Sequence, residues 1–120
     1  MATKFQERIY SQGLCDERRV AFCVNATNLP NGEYGFVLLC VYGNNLNIYD
    51  INLKNEVGDR LYSVPLSKIS GLKAITKGIR IYFSGRQLSF KYEGNEYAFK
   101  NFGKPNIEID VIMEEASKKD

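Results

Sequence analysis

Apolar and polar residues alternate with a period of two through much of this chain, which marks strands with one buried face and one wet face. Val20, Phe22, Val24 and Ala26 alternate with Arg19, Ala21, Cys23 and Asn25 and predict a half-buried strand. Asn31-Gly32 then predicts a turn. Residues 36–42 are apolar at nearly every position, so that strand is expected to be covered on both faces. Gly43-Asn44-Asn45 supplies a reversal, and Leu46, Ile48 and Tyr49 continue the sheet. The polar stretch 52–59 reads as a loop, 61–66 as a strand ending near Pro65, and 69–76 as a short or bent strand. The clearest pattern predicts a three-strand meander: Ile79, Ile81 and Phe83 alternate, then Leu88, Phe90 and Tyr92, then Tyr97 and Phe99. Ser84-Gly85-Arg86 and Glu93-Gly94-Asn95 provide its two turns.

Helical spacing appears only at the two ends. Thr3 with Gln6 forms a capping-box pattern ahead of a helix over 4–13, with Gly13 as its stop and Phe5 and Ile9 as its anchor. Near the other end, Ile109, Ile112, Met113 and Ala116 predict a buried stripe on a helix over about 105–117, capped by Asn106. Glu108 and Asp110 suit the positive end of its dipole. The predicted fold is therefore mainly β with flanking helices. About seven antiparallel strands must close as two packed sheets or a partly open barrel, with the final helix as the plug.

No linker, repeat or low-complexity tract divides the 120 residues, so a single domain over 1–120 is expected. The net charge of +2 sets up no global field toward nucleic acid or an acidic membrane. No apolar run approaches the roughly 20 residues of a membrane-spanning helix, and residues 1–10 lack a secretory core. Cys15, Cys23 and Cys40 leave one thiol unpaired in any disulfide scheme, which favours reduced cysteines and a cytoplasmic location.

Four stretches carry a resemblance: DERRVAFCVNATN, YGFVLLCVYGNNLNIYDI, LYSVPLSKISGLK and LSFKYEGNEYAFKNF. They resemble the bacterial PH-like (pleckstrin-homology-like) domain proteins over residues 16–117. The resemblance implies a seven-stranded, partly open barrel closed by a C-terminal helix, with residues 1–14 as an added helix. Gly43-Asn44-Asn45 departs from the turn usual in those proteins. Phosphoinositide-binding members place basic residues around the loop between the first two strands. Here that loop, residues 29–35, holds one acid and no base, so phosphoinositide binding is not supported.

Catalytic and metal chemistry finds little footing. The sequence contains no histidine, which removes Ser-His-Asp and Cys-His pairs and imidazole metal sites. The cysteines lack a CxxC spacing, and Asp50, Asn52 and Asn55 fail the ligand order of a calcium loop. The pairs Asp16/Glu17 and Glu114/Glu115 read as solvated or dipole-favouring residues at element ends. No catalytic, cofactor or metal residue is assigned, and the expected role is a non-enzymatic binding or scaffolding module for a protein, a peptide or a second copy. A barrel carrying an apolar small molecule behind Phe22, Val24, Leu38, Ile81, Phe83, Phe90 and Phe99 is the alternative.

Charge is uneven along the chain. Residues 68–104 hold eight bases and two acids, a net +6, against −1 for 1–67 and −3 for 105–120. Arg80, Tyr82, Lys91 and Lys100 are predicted to share the wet face of the meander. That face suits an anionic partner, whether lipid headgroup, nucleic acid or acidic protein segment. The plainer reading is a lysine-decorated sheet surface that discourages aggregation.

Overall fold

The computed structural model describes residues 3–32, 34–75, 86–101 and 108–118. Its elements are α1 (Lys4–Ser11), β1 (Ala21–Asn28), β2 (Gly35–Tyr42), β3 (Asn45–Ile51) and β4 (Val57–Pro65). A 3-10 turn (Leu66–Lys68), β5 (Ser70–Ile75), β6 (Arg86–Tyr92), β7 (Asn95–Asn101) and α2 (Glu108–Ser117) follow. The seven strands form one open antiparallel sheet in the order β4-β3-β2-β1-β7-β6-β5.

Local chemistry explains most boundaries. Thr3 accepts a hydrogen bond from the Gln6 N–H at 3.1 Å, and the Gln6 side chain accepts one from the Thr3 N–H at 2.9 Å. This reciprocal box starts α1 and satisfies two otherwise unpaired donors. In the β6–β7 hairpin, Tyr92 pairs with Asn95, leaving Glu93 and Gly94 as a two-residue turn with φ of 53° and 81°. Two positive values define the primed turn that matches strand twist, and glycine meets the second at no steric cost.

The sheet is curled. Four strand steps separate β4 from β7, about 19 Å in a flat sheet. Yet Tyr62 of β4 meets Tyr97 of β7 edge-on, with ring centroids 5.7 Å apart. The concave side gathers Phe22 and Val24 of β1, Leu39 and Val41 of β2, and Leu88, Phe90, Tyr97 and Phe99 of β6 and β7. Phe90 stacks on Tyr97 at 5.1 Å, its direct cross-strand partner. Ile112 and Ala116 of α2 join this core. A second, smaller cluster lies on the convex side, where Ile9 of α1 covers Ala21, Leu38, Cys40 and Tyr49.

Several expectations are corrected in detail. The sequence pattern puts Leu38 inside the barrel; the register of β2 turns it outward, under α1. Helical spacing puts Met113 in the buried stripe, but it is exposed while Glu115 is buried. The helix faces Arg18 at that position, so an ion pair takes the place of an apolar contact. β4 begins at Val57, inside the stretch read as loop, because its early residues are exposed and polar yet still pair with β3. The strand beside β6 is β5, which the sequence pattern predicts as short or bent; the strand expected over 79–83 lies outside the described residues.

Arg18 is the hub of a polar clamp that holds α2 to the rest of the fold. Its guanidinium donates to Asp16 at 2.7 and 3.1 Å, to Glu115 at 2.8 Å and to the Gly43 carbonyl at 2.6 Å. Asn44 donates to the Glu115 carbonyl at 3.2 Å, and Lys118 to the Glu115 carboxylate at 2.8 Å. Burial opposes the charged form of Asp16, but hydrogen bonds from Arg18 and the Gly43 N–H hold its carboxyl below the ordinary value. For Glu115, the Lys118 contact, with Asn44 and Arg18 behind it, outweighs burial in the same direction. Both folded-state values are depressed, so this stabilisation is complete above the ordinary carboxylate value near pH 4 and is lost as pH falls from there through the lowered folded-state values. The double change Asp16→Asn, Glu115→Gln is therefore expected to lower the Tm at neutral pH and to flatten its decline on acidification. An acid limb as steep as that of the wild type would place the titrating groups elsewhere.

Candidate functional sites

The end of the sheet opposite the clamp is built from the β1–β2 and β3–β4 connections. β1 ends there, β2 begins there, and Val37 pairs with Asp50, so residues 34–36, 50–53 and 61 converge. Between them runs an open groove of about 400 Å³ lined by Leu29, Tyr34, Phe36, Asp50, Leu53 and Leu61. Tyr34 is 84% exposed and Leu53 93% exposed, while Phe36 and Leu61 also lie exposed beside them. Exposed apolar residues scattered singly are ordinary; four gathered on one groove are not. The loop that carries Leu53 is held in shape by Asn52, whose side-chain oxygen accepts from the N–H groups of Lys54 and Glu56 at 2.8 and 3.0 Å. Sequence reading missed this site because its members come from two strands and two connections, Phe36 from β2, Leu61 from β4 and Tyr34 and Leu53 from the connections between strands, and Leu53 lies inside a polar stretch.

A second surface occupies the convex side of β5, β6 and β7, beside the area covered by α1. Pairing sets Ala98 against Ser89 and Ser89 against Lys73 in one row. Lys100 lies opposite Gln87 in the row on one side, and Glu96 opposite Lys91 in the row on the other. Lys91 and Lys100 thus share a face as expected, the first exposed and the second half-buried. Arg80 and Tyr82, predicted on the same face, lie outside the described residues. The register adds Lys73, which the sequence counted in the basic segment without placing it.

The cysteines supply no site. Cys15 and Cys40 are buried under α1 with Cys23 beside them, all as free thiols. Cys40 pairs with Ala21 and Cys23 with Leu38, so the two stand diagonally, about 7–8 Å apart and beyond disulfide reach. Burial pushes all three thiols up, away from the reactive thiolate. Among the described residues, no three of Cys, Asp and Glu gather in a way that could hold a metal ion. No helix of the described residues is long and apolar enough to cross a membrane.

The chain matches no family model and no curated protein.

Proposed function

We propose that this chain is a non-enzymatic, cytoplasmic binding or scaffolding module of PH-like organisation whose partner is a protein or peptide. The observation that carries the reading is the cluster of Tyr34, Phe36, Leu53 and Leu61 around the groove at the open end of the sheet. Exposed aromatic and aliphatic side chains beside a concavity provide the buried anchors on which protein recognition depends. The opposite end is closed by α2 and its clamp, as in the bacterial PH-like proteins whose sequence pattern this chain resembles. Free thiols support a reducing compartment. A sequence without histidine supports binding in preference to acid–base catalysis. The carrier alternative draws less support, because Phe90, Tyr97 and Phe99 pack ring against ring on the concave side where a ligand would sit.

Leu53→Glu combined with Tyr34→Ser tests the reading without disturbing the core. The tagged wild type is expected to retain specific proteins from its own cells that the variant releases, while both melt at the same temperature. If the partner is a second copy, sedimentation will show a wild-type dimer that the variant loses. Identical retention and identical sedimentation by both proteins would end the proposal for this groove.

A further inference from the structure

The convex surface of β5–β7 has the form of a trough. Its floor is a row of short side chains, Ala98 and Ser89, running across the strands and leading to Lys73. Gly71, with φ of +61° at an irregularity in β5, lowers the floor further at that edge. Lys100 stands in the row on one side, Lys91 and Glu96 in the row on the other. Those rows are four residues apart along each strand, about 13 Å at the usual rise. Two shallow grooves, about 400 and 210 Å³, occupy this surface and share Lys73 and Ser89. Thr27 of β1 lines the far end of the larger one.

Shape and charge select the occupant. Rows standing about 13 Å apart, centre to centre, leave a lane for one extended backbone between their side chains. Crossing β5, β6 and β7 and reaching β1 spans three strand steps, about 14 Å, or some four extended residues. Successive side chains of such a segment point to opposite sides, so one meets Lys100 and the next meets Lys91. Three lysines against one glutamate (3 − 1) give the trough a charge of +2. Carboxylates fit it through charge-assisted hydrogen bonds, with the Ser89 and Thr27 hydroxyls as further donors. Nucleic acid fits less well. The footprint offers few phosphate contacts, and the described residues of this face include no aromatic ring for base stacking.

We propose that this trough binds a short, extended acidic peptide segment of a protein partner, independently of the apolar groove. The test uses a labelled synthetic peptide with a central run of glutamates, followed by fluorescence anisotropy at low salt. Saturable binding is expected, with no binding of the same peptide carrying glutamine in place of glutamate. Lys91→Gln with Lys100→Gln should weaken it by at least about tenfold, the loss expected for two charge-assisted contacts. Circular dichroism checks that the double variant keeps the wild-type melt. If it does not, the single change at exposed Lys91 and a separate Lys73→Gln variant take its place, each expected to weaken binding severalfold. Absence of saturable binding, equal affinity for the glutamine peptide, or unchanged affinity in a folded variant would overturn the assignment. Tighter binding of oligothymidylate than of a peptide of equal charge would overturn it in favour of nucleic acid.

Discussion

Phe90→Ala is expected to cost about 4 kcal/mol of folding stability and to lower the Tm by roughly 16 °C. Phe90 is 1% exposed and stacks on Tyr97 with Phe99 alongside, so removing its ring opens a cavity between both halves of the concave core. The sheet cannot collapse readily into that space, because Phe90 is fixed by pairing with β7 on one side and its strand with β5 on the other. Chemical denaturation with an unchanged m-value is the measurement that isolates stability. A loss below about 1 kcal/mol would mean that this ring is not at the centre of a close-packed core.

Ile112→Asp addresses the helix that closes the fold. Ile112 is fully buried against the concave core, and the carboxylate would have no cation within that cluster. An unpaired buried charge costs about 4 kcal/mol, a large part of the roughly 5–15 kcal/mol that holds a domain folded. The expected outcome is release of α2: near-ultraviolet dichroism collapses, a hydrophobic dye binds, and strand content persists. The clamp does not rescue the variant, since Arg18, Asn44 and Lys118 engage Glu115 at the helix end and not Ile112. Native near-ultraviolet dichroism in Ile112→Asp would show that α2 is dispensable for core order.

How far the sequence foretold this fold depends on which physical signal each element carries. α1 was legible because the capping box is local: Thr3 and Gln6 need nothing beyond themselves. β1 and β2 were legible because β1 alternates and β2 is apolar throughout, and the structure covers β2 from both sides. Two buried faces with no polar phase leave the inward set undefined, so Leu38 could not be assigned to a side. The early part of β4 was hidden for the opposite reason, since an exposed edge strand needs no apolar alternation. The helical stripe misled at Met113 because spacing ranks apolar residues and cannot foresee that Arg18, 97 positions away, will draw Glu115 inward.

Sites follow the same division. Lys91 and Lys100 share a face because strand period fixes it, and this was readable. Lys73 required the β5–β6 register, which bends at Gly71. The apolar groove was unreadable, because Tyr34, Leu53 and Leu61 are brought together by tertiary folding alone. Asp16 and Glu115, which their positions at element ends predict as solvated or dipole-favouring, are partners of one arginine for the same reason.

The neighbouring of β1 and β7 has a consequence for biosynthesis. Asn25 pairs with Lys100 and Ala26 with Phe99, so the central seam of the sheet joins positions some 75 apart in the chain. A ribosome must release the chain through β7 before that seam can close. Until then the nascent β1–β4 portion carries a raw strand margin and an uncapped greasy concavity, a state open to premature association. Closure across so long an interval also places the molecule among slow folders for its size.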